Sequence, residues 1–180
     1  MNLPVTVIVA VYLFLPLPRA GGEPGLDGTW TFVPSKSTDI ASWGYSIPRI
    51  DIATSGQGVR VIHNWLDRGK AAYADTFAFR PGGSPVSSPV RSEIWPENWY
   101  MGVLSIVGDP RVVSGSWIQP ERTLRVITRE SVRTSQGKTS ISTTREYALG
   151  SDGKTMTLTE KRSSRPTPVT LVFERKEPDR

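Results

Sequence analysis

From Gly28 onward the chain is cut by tight-turn sequences into short segments rich in Val, Ile, Thr, Trp and Tyr, and no stretch carries the i, i+3, i+4 apolar spacing of an amphipathic helix. The punctuation is Ser55-Gly56-Gln57-Gly58, Asp67-Arg68-Gly69-Lys70, Gly108-Asp109-Pro110, Ser135-Gln136-Gly137 and Ser151-Asp152-Gly153-Lys154. Strands are predicted over 28–33, 49–54, 59–65, 71–79, 90–95, 99–107, 112–118, 123–131, 139–149, 155–161 and 169–176. Parallel pairing needs a crossover of about a dozen residues or more, so connections this short make successive strands antiparallel neighbours in a meander. An open meander leaves two raw edges, and rolling it up removes them. The expected fold class is therefore all-β, an antiparallel up-and-down β-barrel. A sandwich would call for longer, Greek-key connections.

Two irregular stretches interrupt the pattern. Residues 34–48 carry Trp43 and Tyr45 among small residues and read as the first long connection. Residues 80–89, with three prolines and two glycines, are expected to stay out of any sheet and to run across the open end as a surface loop. The tail 177–180 is expected to fray.

A chain of 180 residues with no internal repeat reads as one domain, placed at 26–176. With no cysteine, it has no disulfides, no thiolate metal site and no cysteine nucleophile. The net charge of +5 comes from basic residues that alternate with Thr and Ser along strands, the pattern of a solvated surface rather than the clustered footprint of a nucleic-acid binder. No nucleic-acid partner is expected. The apolar run 5–17 is short for a spanning helix and reads as the hydrophobic region of a secretory signal over 1–20, cleaved after Ala20. No Lys or Arg precedes the run, and an uncleaved anchor is the competing reading. On the signal reading the mature protein is exported, periplasmic or secreted, monomeric and without stable membrane insertion.

Gly28-Thr29-Trp30 opens the first predicted strand, followed by Lys36-Ser37. Near the other end stand Ser151-Asp152-Gly153-Lys154-Thr155-Met156-Thr157-Leu158-Thr159, with Asp-Gly suited to the left-handed positions of a tight turn, and Val172-Phe173-Glu174-Arg175-Lys176. The first group resembles the G-x-W signature of lipocalins and related calycin barrels, and both groups are similar to the small exported bacterial lipocalin-like domains. That resemblance implies a barrel whose opening Trp30 is covered by a cation from the last strand, Arg175 or Lys176, with Gly28, Trp30 and Arg175 acting as the structural closure.

His63, the single histidine, alternates in phase with Val59, Val61 and Trp65. It is a candidate lumen base or ligand, against the plainer reading of a core histidine satisfied by a neighbour. A metal site is not expected, because no second histidine or thiol exists to complete one. Ser–His–Asp chemistry with Asp51 or Asp75 lacks any nucleophile-elbow context, and Glu93 and Glu97 read as ordinary surface acids. Trp95 lies in the densest aromatic stretch, and with Trp65, Tyr73 and Trp117 it forms a candidate ligand-contacting set, core packing being the competitor. Along 123–129, Leu124, Val126 and Thr128 share one face and Arg125, Ile127 and Arg129 the other, so the two arginines must point the same way, outward being expected.

The sequence therefore points to an exported lipocalin-like protein that binds a small, mostly apolar or anionic amphipathic ligand in its cup, with no catalysis and no cofactor. Two readings compete with it. One is an envelope-associated structural or interaction protein whose barrel is filled solid, the other a lumen enzyme using His63.

Overall fold

A computed structural model describes residues 25–39, 45–67, 70–91 and 104–177. The proposed signal segment and Trp95 lie outside them. The described chain forms strands β1 (Gly28–Phe32), β2 (Tyr45–Ser55), β3 (Gly58–Asp67), β4 (Lys70–Phe79), β5 (Val86–Pro89), β6 (Leu104–Ser105), β7 (Pro110–Gln119), β8 (Thr123–Thr134), β9 (Gly137–Leu149), β10 (Thr155–Arg162) and β11 (Val169–Arg175), with one 3-10 turn at Pro34–Lys36. Ten strands make one antiparallel ladder in the order β4-β3-β2-β1-β11-β10-β9-β8-β7-β5, while β6 pairs with β8. The protein is an all-β, up-and-down, nearly closed barrel.

The first and last strands are neighbours, with Trp30 opposite Arg175 and Phe32 opposite Phe173. Trp30 is fully buried and its ring nitrogen donates to the Leu26 carbonyl at 2.9 Å. The Arg175 guanidinium lies 4.2 Å from the Trp30 ring centroid. Its nitrogens also donate to the carbonyls of Asp27, Gly25 and Gly153. Gly28 makes room for this stack: its φ is +136°, and a Cβ there would come within 2.7 Å of Arg175 Nη1. Lys36-Ser37 binds the turn to the same strand, Ser37 Oγ accepting the Val172 N–H at 2.8 Å and Lys36 pairing with Glu174.

Three expectations need correcting. Residues 86–89 do enter the sheet, as an edge strand on β7 with Pro89 opposite Pro110; proline is tolerated there because an edge strand needs no donor on its outer side. Strand β2 begins at Tyr45 rather than at residue 49, and a register shift between Ser46 and Arg49 accommodates Pro48. In the 151–154 turn only Gly153 takes a positive φ, +64°. Asp152 instead holds the turn by accepting from the Lys154 and Thr155 N–H groups and the Thr155 hydroxyl, which lowers its carboxyl to about 2.

The gap in the ladder falls in mid-chain, between β4 and the β5–β7 edge. Side chains close it. Arg111 on β7 forms a two-pronged ion pair with Asp75 on β4 at 2.8 and 3.0 Å, both groups almost fully buried, and also donates to the Thr76 carbonyl. Above the pair the Gly82 N–H donates to the Gly115 carbonyl at 2.8 Å. Phe79 lies against Gly115 so closely that a Cβ there would come within 2.2 Å of its ring.

Two stability measurements test these closures. Arg175→Ala is expected to cost about 2–4 kcal/mol in urea unfolding, from lost bonds to enclosed carbonyls and the ring contact, against about 0.5 kcal/mol or less for the exposed Arg133→Ala; equal losses would refute the first closure. At the seam, Arg111→Ala should cost about 3–5 kcal/mol by stranding a buried carboxylate, whereas the double change Asp75→Leu with Arg111→Met should recover most of that loss.

Candidate functional site

Strand alternation decides which side chains enter the barrel, and pairing register arranges them in rows. The row nearest Arg175 and Trp30 joins Phe173, Met156 and Leu149, and the next joins Leu171, Leu158, Tyr147, Leu124 and Trp117. These are apolar and densely packed, with Trp30, Phe77, Phe173, Met156 and Leu158 below 2 % exposure. The following row brings Glu160 opposite Arg145, and the one after it brings Arg162 opposite Thr143, with Thr143 opposite Thr128. The inner wall thus changes from apolar to charged along the barrel. Its buried polar residues include His63, Asp75, Arg111, Thr128, Glu130, Thr143, Arg145 and Arg162.

Each charge sits in a defined environment. Arg145 Nε lies 3.0 Å from a Glu160 oxygen, and Arg145 Nη1 donates to Thr128 Oγ1 at 3.2 Å. Arg145 and Arg111 each stand 5.0 Å from the centroid of Phe77, so one aromatic ring serves two cations. Glu130 accepts from Ser105 Oγ at 3.3 Å; burial, partly offset by the Arg111 charge, pushes its carboxyl up to about 7.

His63 belongs to this wall. It is 1 % exposed, its Nε2 lies 2.8 Å from the Tyr147 hydroxyl, and its ring meets Phe77 edge-on at 5.3 Å between centroids. Burial, followed by the charges of Arg145 and Arg111, lowers its pKa well below the usual 6.5, so the imidazole is neutral near neutrality. Burial likewise raises the Tyr147 phenol. Asp75 stands opposite His63 in the β3–β4 register, but both of its oxygens are held by Arg111. Asp51 lies elsewhere, holding Thr29, Arg49 and Asn64. Among the described residues no three of His, Cys, Asp and Glu are grouped as metal ligands would be.

The aromatic candidates are dispersed. Trp65 is buried 6.2 Å from His63 between ring centroids, and Trp117 is partly buried against the apolar rows. Tyr73 pairs with Trp65 across β3 and β4, but its side chain is outside the described residues, as is all of Trp95. Arg125 and Arg129 share the outer face, Arg125 in an ion pair with Glu146.

A pocket of about 350 Å³ opens at the seam instead. Ala74, Ala78, Val86 and Val113 line its sides, the Asp75–Arg111 pair forms its floor and the exposed Arg91 stands among its lining residues. Neither this pocket nor the charged half of the wall was singled out from the sequence. One signal was available: Thr128 and Glu130 fall in phase with Leu124, Val126 and Val132, and Thr143 and Arg145 with Ile141, Tyr147 and Leu149, so polar residues occupy inward positions.

No family model matches the chain, and no curated protein or solved structure matches it significantly.

The neutral burial of His63 has a measurable sign. Below pH 6.5 the unfolded chain binds a proton that the folded barrel refuses, so the folded state loses stability as pH falls. Relative to His63→Gln, which does not titrate and retains hydrogen-bonding capacity toward Tyr147, the wild type should lose roughly 2 kcal/mol between pH 7 and pH 5. Parallel pH profiles for the two proteins would contradict the neutral assignment.

Proposed function

We propose that this chain is an exported, lipocalin-like binding protein that holds a small, mostly apolar ligand bearing an anionic group, and that it carries out no chemistry on it. The observation that carries the reading is the seam pocket. Its volume of about 350 Å³ falls in the range of small-molecule sites, and it combines apolar walls with a few charged groups at fixed places. Arg111 is held there by Asp75 as a neutral pair, and the exposed Arg91 brings the cation that an anionic group would meet. Guanidinium groups suit a carboxylate or similar head. The stack of Trp30 on Arg175 and the apolar run at 5–17 support the family resemblance and the export route respectively.

A solid structural barrel is the second reading, favoured by the packing of the apolar rows around Trp30, Phe77 and Phe173. Both readings accept that packing; they differ over the seam. Ala78 is exposed and lines the pocket, so Ala78→Trp fills the space without touching the core. A fluorescent fatty-acid probe is expected to bind the wild type, and Ala78→Trp should weaken it at least about tenfold with little change in Tm. Failure of the wild type to bind the probe would favour the solid barrel.

A further inference from the structure

The seam pocket is bounded by both ends of the ladder. Strand β4 is the last strand on one side and β5 the last on the other, and each contributes lining residues. Along β4 the pocket is lined by Ala74, Thr76 and Ala78, all exposed and all of one parity. Main-chain groups alternate along a strand as side chains do, each residue turning its N–H and C=O to one flank or the other. Two contacts fix the sense here. The Phe79 carbonyl faces β3, where a Cβ at Gly58 would come within 2.5 Å of it, and the Thr76 carbonyl faces the seam, where it accepts from Arg111 Nη2 at 3.3 Å. The N–H and C=O groups of Ala74, Thr76 and Ala78 therefore point into the gap, and among the described residues no strand pairs with them there.

That edge is a row of donors and acceptors spaced for an extended chain. From Ala74 to Ala78 it covers about 13 Å at the rise of a strand, the length of four extended residues. An alkyl chain offers nothing to those groups, whereas a peptide backbone matches them: strand addition at a free edge draws affinity from main-chain hydrogen bonds and specificity from alternate side chains. The remaining lining sorts such a peptide. Ala74 and Ala78 leave space over β4, and Val86 and Val113 present apolar surface. Register gives the direction. Val86 lies opposite Val113 and Pro89 opposite Pro110, while Arg111 meets Asp75 and Gly115 meets Phe79. Val86 thus belongs to the Ala78 end of the pocket, and Arg91, two residues past Pro89, to the Ala74 end. Among the described residues no ion pair engages Arg91.

We propose that the seam pocket takes a short, extended, mostly apolar peptide, which adds to the free edge of β4 as an antiparallel strand and sets its terminal carboxylate on Arg91. The carboxylate at the Ala74 end makes the bound chain run opposite to β4. The inference rests on the reading of this pocket as a binding site and gives its ligand a peptide backbone. Asp75 and Arg111 remain a neutral floor beneath it, and no covalent bond is made or broken.

Titration calorimetry on the full chain tests this with acetyl-Ala-Val-Ala-Val as the free acid, the same peptide ending in an amide, two forms of the acid N-methylated on alternate residues, and decanoate. The free acid should bind at least about tenfold more tightly than decanoate, and at least one N-methylated form should lose about tenfold, the worth of one or two hydrogen bonds. The amide should bind about five- to tenfold more weakly than the acid, and Arg91→Gln should weaken the acid by a similar factor while leaving the amide unchanged. Hydrogen exchange gives a second readout: the Ala74, Thr76 and Ala78 amides should slow with the acid and not with decanoate. Binding of decanoate without the peptide, or equal binding of the acid and both N-methylated forms, would overturn the peptide assignment while leaving the pocket reading intact. Binding of neither peptide nor decanoate would overturn both. In peptide-free protein, exchange at these amides that slows with rising protein concentration would put a second copy on the edge, and slow exchange at every concentration would put the chain's own residues there; either would overturn the proposal.

Discussion

The buried ion pair of Asp75 with Arg111 is the side-chain link that spans the gap in the barrel's backbone ladder, and the interior is arranged around it. Around the rest of the wall, neighbouring strands share a backbone ladder. At the seam that ladder is interrupted, and the connection through Pro81, Pro85 and Pro89 lacks three of the N–H groups a continuous ladder would require. A bidentate guanidinium–carboxylate pair, with both partners out of water, substitutes a directional link of comparable geometry. Desolvating two charges is costly, and the Thr76 carbonyl and the Phe77 ring offset part of that cost by also holding Arg111.

That solution has consequences for the interior. The wall beyond the apolar rows gathers Arg111, Arg145 and Arg162 with Asp75, Glu130 and Glu160, and burial there keeps His63 neutral and raises the Glu130 carboxyl. The other end of the barrel is organised by the opposite principle. There Trp30 and Arg175 close the chain's ends over a dense apolar packing, and the guanidinium itself covers the ring while the side chain stays partly in contact with solvent. The molecule thus has one end closed by apolar packing and an inner wall toward the other end lined with buried charge.

Much of the architecture can be read locally. Period-two alternation and turn residues belong to each strand by itself, so the meander, its antiparallel sense and the shared outward direction of Arg125 and Arg129 follow from short stretches of chain. The site is a different matter. Aromatic residues such as Trp65 and Trp117 attract attention by size, and the structure places Trp65 in the core cluster and Trp117 partly buried against it. The polar residues that gather on the wall, among them Glu130, Thr143, Arg145 and Arg162, look individually like surface residues. Only their phase with neighbouring Leu, Val and Ile hints otherwise.

By itself the sequence determined an all-β meander with inward and outward faces, because side-chain direction along a strand and tight reversal at Gly and Asp are set by neighbours a few residues away. Tertiary structure alone decided where the barrel fails to close, which carboxylate meets Arg111, and that Glu130 and Thr143 are enclosed as diagonal neighbours on the inner wall. Those outcomes depend on the register between strands far apart in the chain and on burial created only when the sheet curls. Neither quantity is a property of any segment taken alone.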